Sequence, residues 1–63
     1  MKKSLMKKIV NRCLEIINES IDDSKNPQEI KVYAIARTGL ELSIPMKDVE
    51  YVIETYRRGG LNN

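Results

Sequence analysis

Between Leu5 and Ile21 the apolar residues Leu5, Met6, Ile9, Val10, Cys13, Leu14, Ile16, Ile17 and Ile21 return at intervals of three and four. That spacing follows the period of a helix and not the alternation of a strand. At about 100° per residue these positions fill an arc of roughly 180°, wider than the stripe needed to meet a single neighbour. The pattern predicts a first helix over 3–23 with two partners to pack against.

A second helix is announced by Asn26-Pro27-Gln28-Glu29. Asn26 can cap, Pro27 suits the first helical position, and Glu29 can complete a capping box. The β-prone run Lys31-Val32-Tyr33-Ala34-Ile35-Ala36 could form a strand, but a single short strand has no predicted partner to pair with. The cap therefore directs the segment into a helix over 27–38. Gly39, free to take a positive φ, is the natural residue to follow it, and Leu40 to Ile44 then form a connection folding back onto the core. Apolar residues fall on several faces of this helix, so it is expected to be the most enclosed of the three.

A third helix is predicted over 45–58. Met46, Val49, Val52, Ile53 and Tyr56 cover an arc of about 120°. Asp48 in its first turn and Arg57 and Arg58 in its last suit the helix dipole. Gly59-Gly60 stops it, and 61–63 form a disordered tail. The fold class is all-α, a small bundle of three helices in one domain, 1–63. Its expected core is Ile9, Cys13, Ile16, Ile17, Ile35, Leu40, Val49, Val52 and Ile53.

Size bears on assembly. A chain of 63 residues buries only about 60% of the surface its unfolded form exposes, and such domains usually lean on disulfides, a metal or further subunits. One cysteine and no histidine leave no internal bridge and no cysteine–histidine metal site. Self-association is the remaining support.

The order of charges in the first helix points the same way. Lys2, Lys3, Lys7, Lys8 and Arg12 stand toward its N-terminus, while Glu15, Glu19, Asp22 and Asp23 stand toward its C-terminus. Both ends oppose the macrodipole. The pairs Lys3–Lys7, Lys8–Arg12, Glu15–Glu19 and Glu19–Asp23 set like charges four apart, each unfavourable by about 0.2–0.5 kcal/mol. A helix so segregated complements its own reverse, and a two-fold homodimer through the first helix completes the expected bundle. The interface would comprise Leu5, Met6, Ile9, Val10, Cys13, Leu14, Ile17 and Ile21, with Lys8 and Arg12 set against Glu15 and Glu19.

Catalytic and cofactor chemistry finds no foothold. Without histidine no nucleophile–histidine pair can form, and Cys13 lies at the centre of the apolar arc, where a small hydrophobe is expected. The pairs Glu50/Glu54 and Glu15/Glu19 sit on polar helix faces as solvated charge. Gly39 stands alone and Gly59-Gly60 follows a helix instead of leading into one, so no phosphate loop exists. No catalytic residue, metal ligand or cofactor is expected. Apolar runs stay well short of the roughly 18 residues of a membrane span, and Lys7 and Lys8 interrupt the start before a signal core forms, so the expected location is cytoplasmic with no membrane partner.

Two functions compete. From Lys31 to Tyr56 the chain loosely resembles a helix-turn-helix protein, with Ala36, a turn glycine at Gly39, and Val49, Val52 and Ile53 on the second helix. The resemblance implies DNA binding, with phosphate contacts from Lys2, Lys3, Lys7, Lys8, Arg57 and Arg58, and with Lys47 and Tyr51 nearest the bases. Counted from Gly39, however, the second helix of that pattern starts about three residues on, so Pro45 would fall inside it and break it. The face Lys47, Asp48, Glu50, Tyr51, Glu54, Arg57 and Arg58 also mixes signs where phosphates favour a positive field. The favoured expectation is a small non-enzymatic regulator or adaptor, of a size that bacteria and their mobile elements use to modify larger machines. It would bind itself and a protein partner, the latter through Lys47, Tyr51, Arg57 and Arg58, because exposed tyrosine beside arginine is enriched at interface hot spots.

Overall fold

A computed structural model of the chain describes residues 2–21 and 26–60, and within them it forms three helices and no strand. These are α1 (Lys3–Ser20), α2 (Pro27–Leu42) and α3 (Met46–Arg57). The predicted end of the first helix among 22–25 and the predicted tail 61–63 lie outside the described residues. Where it can be followed, α1 closes at Ser20, and the Ile21 amide turns back to the Asn18 carbonyl at 3.4 Å.

The start of α2 is the one read from its sequence. Asn26 Oδ1 accepts a hydrogen bond from the Gln28 amide at 2.8 Å, and Pro27 fills the first helical position. Glu29 stands in the first turn without closing a capping box among the described residues. The end of α2 differs from expectation. The helix runs through Gly39 to Leu42, and the left-handed residue that stops it is Ser43, at φ 57° and ψ 45°.

Around Ser43 the chain forms a Schellman turn. The Ile44 amide donates to the Gly39 carbonyl at 2.8 Å, and the Ser43 amide to that of Leu40 at 3.4 Å. Gly39 is needed for a reason other than φ. A Cβ placed there would lie 2.7 Å from the Ile44 carbonyl oxygen, so only glycine lets the returning chain approach this closely. Pro45 then stands before α3, where its fixed φ and missing N–H do no harm. The far end of α3 repeats the turn with the expected residue: Gly59 takes φ 80°, and the Gly60 amide reaches the Thr55 carbonyl at 2.9 Å.

The core forms where the helices meet. Ile9, Val10, Cys13 and Ile16 of α1, Ala34 and Ile35 of α2, and Val49 and Val52 of α3 make one buried cluster, flanked by Met6, Ile17, Leu42, Ile44 and Ile53. Each fully buried isoleucine or valine here contributes about 1.5–3 kcal/mol of transfer free energy. α1 touches both other helices, so its wide apolar arc has its two neighbours within one chain. It runs antiparallel to α2: Arg12 reaches Glu41 in the last turn of α2, while Ile17 shares a groove with Pro27 and Gln28 at its start.

Leu40, expected in the core, is instead 83% exposed. Extending α2 past Gly39 rotates Leu40 onto the outer face, and Thr38 and Gly39 turn inward in its place. Nor is α2 enclosed all round, since Val32 and Tyr33 are also exposed. Thr38 is fully buried, and its hydroxyl has no hydrogen-bond partner of ordinary geometry among the described residues.

Two substitution experiments test this arrangement. Gly39→Ala should lower stability by about 1–3 kcal/mol through the clash with the Ile44 carbonyl, although alanine is the better helix former. Ser43→Gly should raise it by about 0.5–1 kcal/mol by removing a left-handed non-glycine residue. Urea melts read both, and a stabilising Gly39→Ala would contradict the close approach. Separately, Thr38→Val should raise the melting temperature, by about 1 kcal/mol in free energy, because it deletes a buried hydroxyl with only the weakly bonding Cys13 thiol beside it; a lower melting temperature would show that the hydroxyl is satisfied.

Candidate interaction site

Arg12 of α1 finds carboxylate partners in the same chain. Arg12 lays its guanidinium against Glu41, Nε to Oε1 at 2.7 Å and Nη2 to Oε2 at 3.0 Å, a two-point contact between helices. Its Nη1 also approaches Glu15 at 3.4 Å and Glu19 at 3.9 Å. Arg37 donates from Nε to the second oxygen of Glu41 at 2.8 Å and from Nη1 to the Tyr33 hydroxyl at 2.8 Å. With hydrogen bonds from Arg12 and then Arg37, the Glu41 carboxyl is held down to about 2, from an ordinary value near 4.5, and the Arg12 guanidinium is pushed up in turn.

This network answers the charge order that suggested an antiparallel copy of the first helix. α2 is itself the antiparallel neighbour. The basic half of α1 lies toward the negative C-terminal end of α2, and the acidic half toward its positive N-terminal end. Of the residues expected at a dimer interface, Ile9, Val10 and Cys13 are buried in the core of their own chain. Arg12 is bound to Glu41, with Glu15 and Glu19 close by. Leu5, Leu14 and Ile21 stay exposed, Met6 and Ile17 are half-buried against the core, and Lys8 is exposed.

The clearest unpartnered apolar surface belongs to α2. Val32, Ala36 and Leu40 recur every four residues and so share one outer face. Val32 is 51% and Leu40 83% exposed. Ala36, Gly39, Leu40, Ser43, Ile44, Pro45 and Met46 then line a shallow, mostly apolar groove that carries this stripe across the turn to the start of α3. Sequence reasoning missed the surface because it ended the helix at Thr38. The four-residue spacing of Val32, Ala36 and Leu40 was the signal that could have found it.

The residues proposed for partner binding on the third helix divide into two groups. Lys47, Tyr51 and Arg58 border one shallow depression together with Glu50, Glu54 and Thr55, and Tyr51 is largely exposed. Arg57 turns elsewhere: it pairs with Glu54 at 3.3 Å and lines a different groove with Leu14, Ile17 and Tyr56. Glu54 also approaches Lys31 of α2 at 3.6 Å. The Tyr51 face therefore holds acids and bases side by side, with no net positive field.

Cys13 is buried, and burial pushes its thiol up, with only partial relief from the neighbouring Thr38 side chain. A thiol so placed packs as a small hydrophobe in the core. Among the described residues no helix is long and apolar enough to cross a membrane, and no group of three histidine, cysteine, aspartate or glutamate residues could hold a metal ion. Searches of protein families, curated proteins and solved structures find no match to this chain.

Glu41 gives the network a pH signature. Its folded value is depressed, so its contribution to stability is complete above about 4.5 and is lost as the pH falls toward 2. Glu41→Gln should therefore melt below the wild type at pH 7, with the gap closing as the pH approaches 2. Thermal melts across that range decide it, and a gap independent of pH would show that Glu41 does not act through its charge.

Proposed function

We propose that this chain is a small non-enzymatic regulator or adaptor that works by protein–protein interaction as a helical homo-oligomer. The observation that carries the reading is the stripe Val32, Ala36 and Leu40 on α2, continued by Met46, with Leu40 almost wholly exposed. A single exposed leucine is ordinary on a protein surface, whereas a connected apolar row marks a contact surface. Its polar border supports this, because Arg37 and Glu41 are already paired with each other and need no solvent counterion. Tyr51, between Lys47 and Arg58, offers a second, more polar contact. The self-association expected of α1 loses its electrostatic motive, since Arg12 has carboxylates in its own chain.

One observation favours a second reading, DNA binding by a helix-turn-helix. Counted from Ser43, the residue that is actually left-handed, α3 begins three residues later at Met46 and Pro45 stands outside it. Val49 and Val52 then face the core. The objection from Pro45 disappears, but the mixed charge of Lys47, Glu50, Glu54 and Arg58 remains, and phosphate contact favours a positive field. The reading therefore ranks second.

Immobilised wild-type chain and its Leu40→Glu variant, with lysate capture and mass spectrometry, test the first reading. Leu40 is outside the core, so the variant should keep its helical circular dichroism. A protein retained by the wild type and lost with Leu40→Glu is the expected result, and capture indifferent to Leu40 would sink the α2 surface. Anisotropy of a labelled duplex at low salt tests the second reading, where a flat isotherm ends it.

A further inference from the structure

We infer that the occupant of the α2 stripe is a second copy of this chain, laid antiparallel across α2 about a two-fold axis through Ala36. The inference rests on α2 being a contact surface and names what covers it.

The first argument is steric. Val32 and Leu40 stand four residues before and four after Ala36, so the stripe reads large, small, large in both directions. Reversed upon itself, it sets Val32 of each copy against Leu40 of the other, with Ala36 meeting Ala36. Such a patch is self-complementary in the sense a two-fold interface requires. A small central residue also lets two helices approach closely. With axes about 8–10 Å apart and Cα atoms about 2.3 Å from each axis, the facing Ala36 Cα atoms would be about 3.4–5.4 Å apart.

The second argument is electrostatic. In this register Glu29 of one copy falls at the level of Ser43 in the other, where α3 begins and Lys47 stands in its first turn. Glu29 and Lys47 are both exposed, and neither has an ion pair among the described residues. The start of α3 has no side-chain cap and carries the positive end of its dipole. A carboxylate arriving from the other copy meets Lys47 and the positive dipole end, with Asp48 of the same turn opposing them, at both ends of the interface. A parallel arrangement would instead set Glu29 against Glu29 and Lys47 against Lys47.

Four chains carry the test: wild type, Leu40→Glu, Ala36→Cys and Glu15→Cys, followed by sedimentation equilibrium and by mass under oxidising conditions. Cys13 is buried, so the wild type controls for its contribution to any disulfide. The wild type should sediment as a dimer. Leu40→Glu should weaken that dimer by roughly a hundredfold or more, because symmetry removes the leucine twice. Ala36→Cys should form a disulfide-linked dimer, since the wider part of that separation, above about 4.4 Å, falls within disulfide geometry. Glu15→Cys on α1 serves as the comparison and should stay reduced. A chain monomeric at hundreds of micromolar overturns the second copy as occupant, while the capture experiment with Leu40→Glu judges the α2 surface by itself. A dimer indifferent to Leu40→Glu, with Ala36→Cys unlinked or Glu15→Cys linked in its place, equally overturns the inference.

Discussion

A Cβ at position 39 would lie 2.7 Å from the Ile44 carbonyl oxygen, and only glycine leaves room for that approach. Much of the architecture follows from this approach. It lets the chain turn back at Ser43, sets Ile44 against the core, and releases α3 from Met46 so that Val49 and Val52 arrive beneath α2. Because the turn comes after Leu42 and not after Thr38, α2 gains an extra turn of helix. That turn carries Glu41 to Arg12 and holds Leu40 away from the core. The α1–α2 charge contact and the apolar outer stripe thus share one steric origin.

The network at Glu41 shows how a helix can carry charges that oppose its own dipole. Like-signed neighbours along α1 would weaken it in isolation. Beside an antiparallel α2 the same order becomes complementary, and Arg12 acts as the clasp between two elements far apart in sequence. Exposed ion pairs of this kind contribute little individually. Their effect here lies in fixing register: Arg12 can reach Glu41 only when α1 and α2 are aligned as the core also requires.

The features legible in the sequence were those encoded by local rules. The apolar period of α1, the Asn26-Pro27 start of α2 and the Gly59 stop of α3 each state their own physics, and most of the predicted core followed from them. Gly39 was not legible, because glycine serves two purposes that one sequence cannot separate. It can adopt a positive φ at a helix end, or it can remove a side chain where backbone approaches backbone. Reading it in the first way misplaced Leu40 and hid the α2 stripe. The charge order of α1 suggested a second copy of the helix, whereas Arg12 reaches carboxylates of its own chain, Glu41 of α2 among them, a pairing that depends on where α2 ends. The sequence puts Lys47, Tyr51, Arg57 and Arg58 together, but one residue of helix turns Arg57 to a groove other than the depression that Lys47, Tyr51 and Arg58 border.

That α2 faces the core on one side and carries an apolar stripe on the other has a consequence for how this sequence can drift. Ile30, Ala34, Ile35, Thr38 and Gly39 are held by packing within the chain. On α1 and α3, replaceable positions should recur with the helical period wherever charged residues hold the outer face, apart from the exposed Leu5, Leu14 and Tyr51, because surface exchanges there are nearly neutral. With a contact partner on its outer stripe, α2 has no such indifferent face, and its tolerance to substitution would lose the rhythm that its backbone still has.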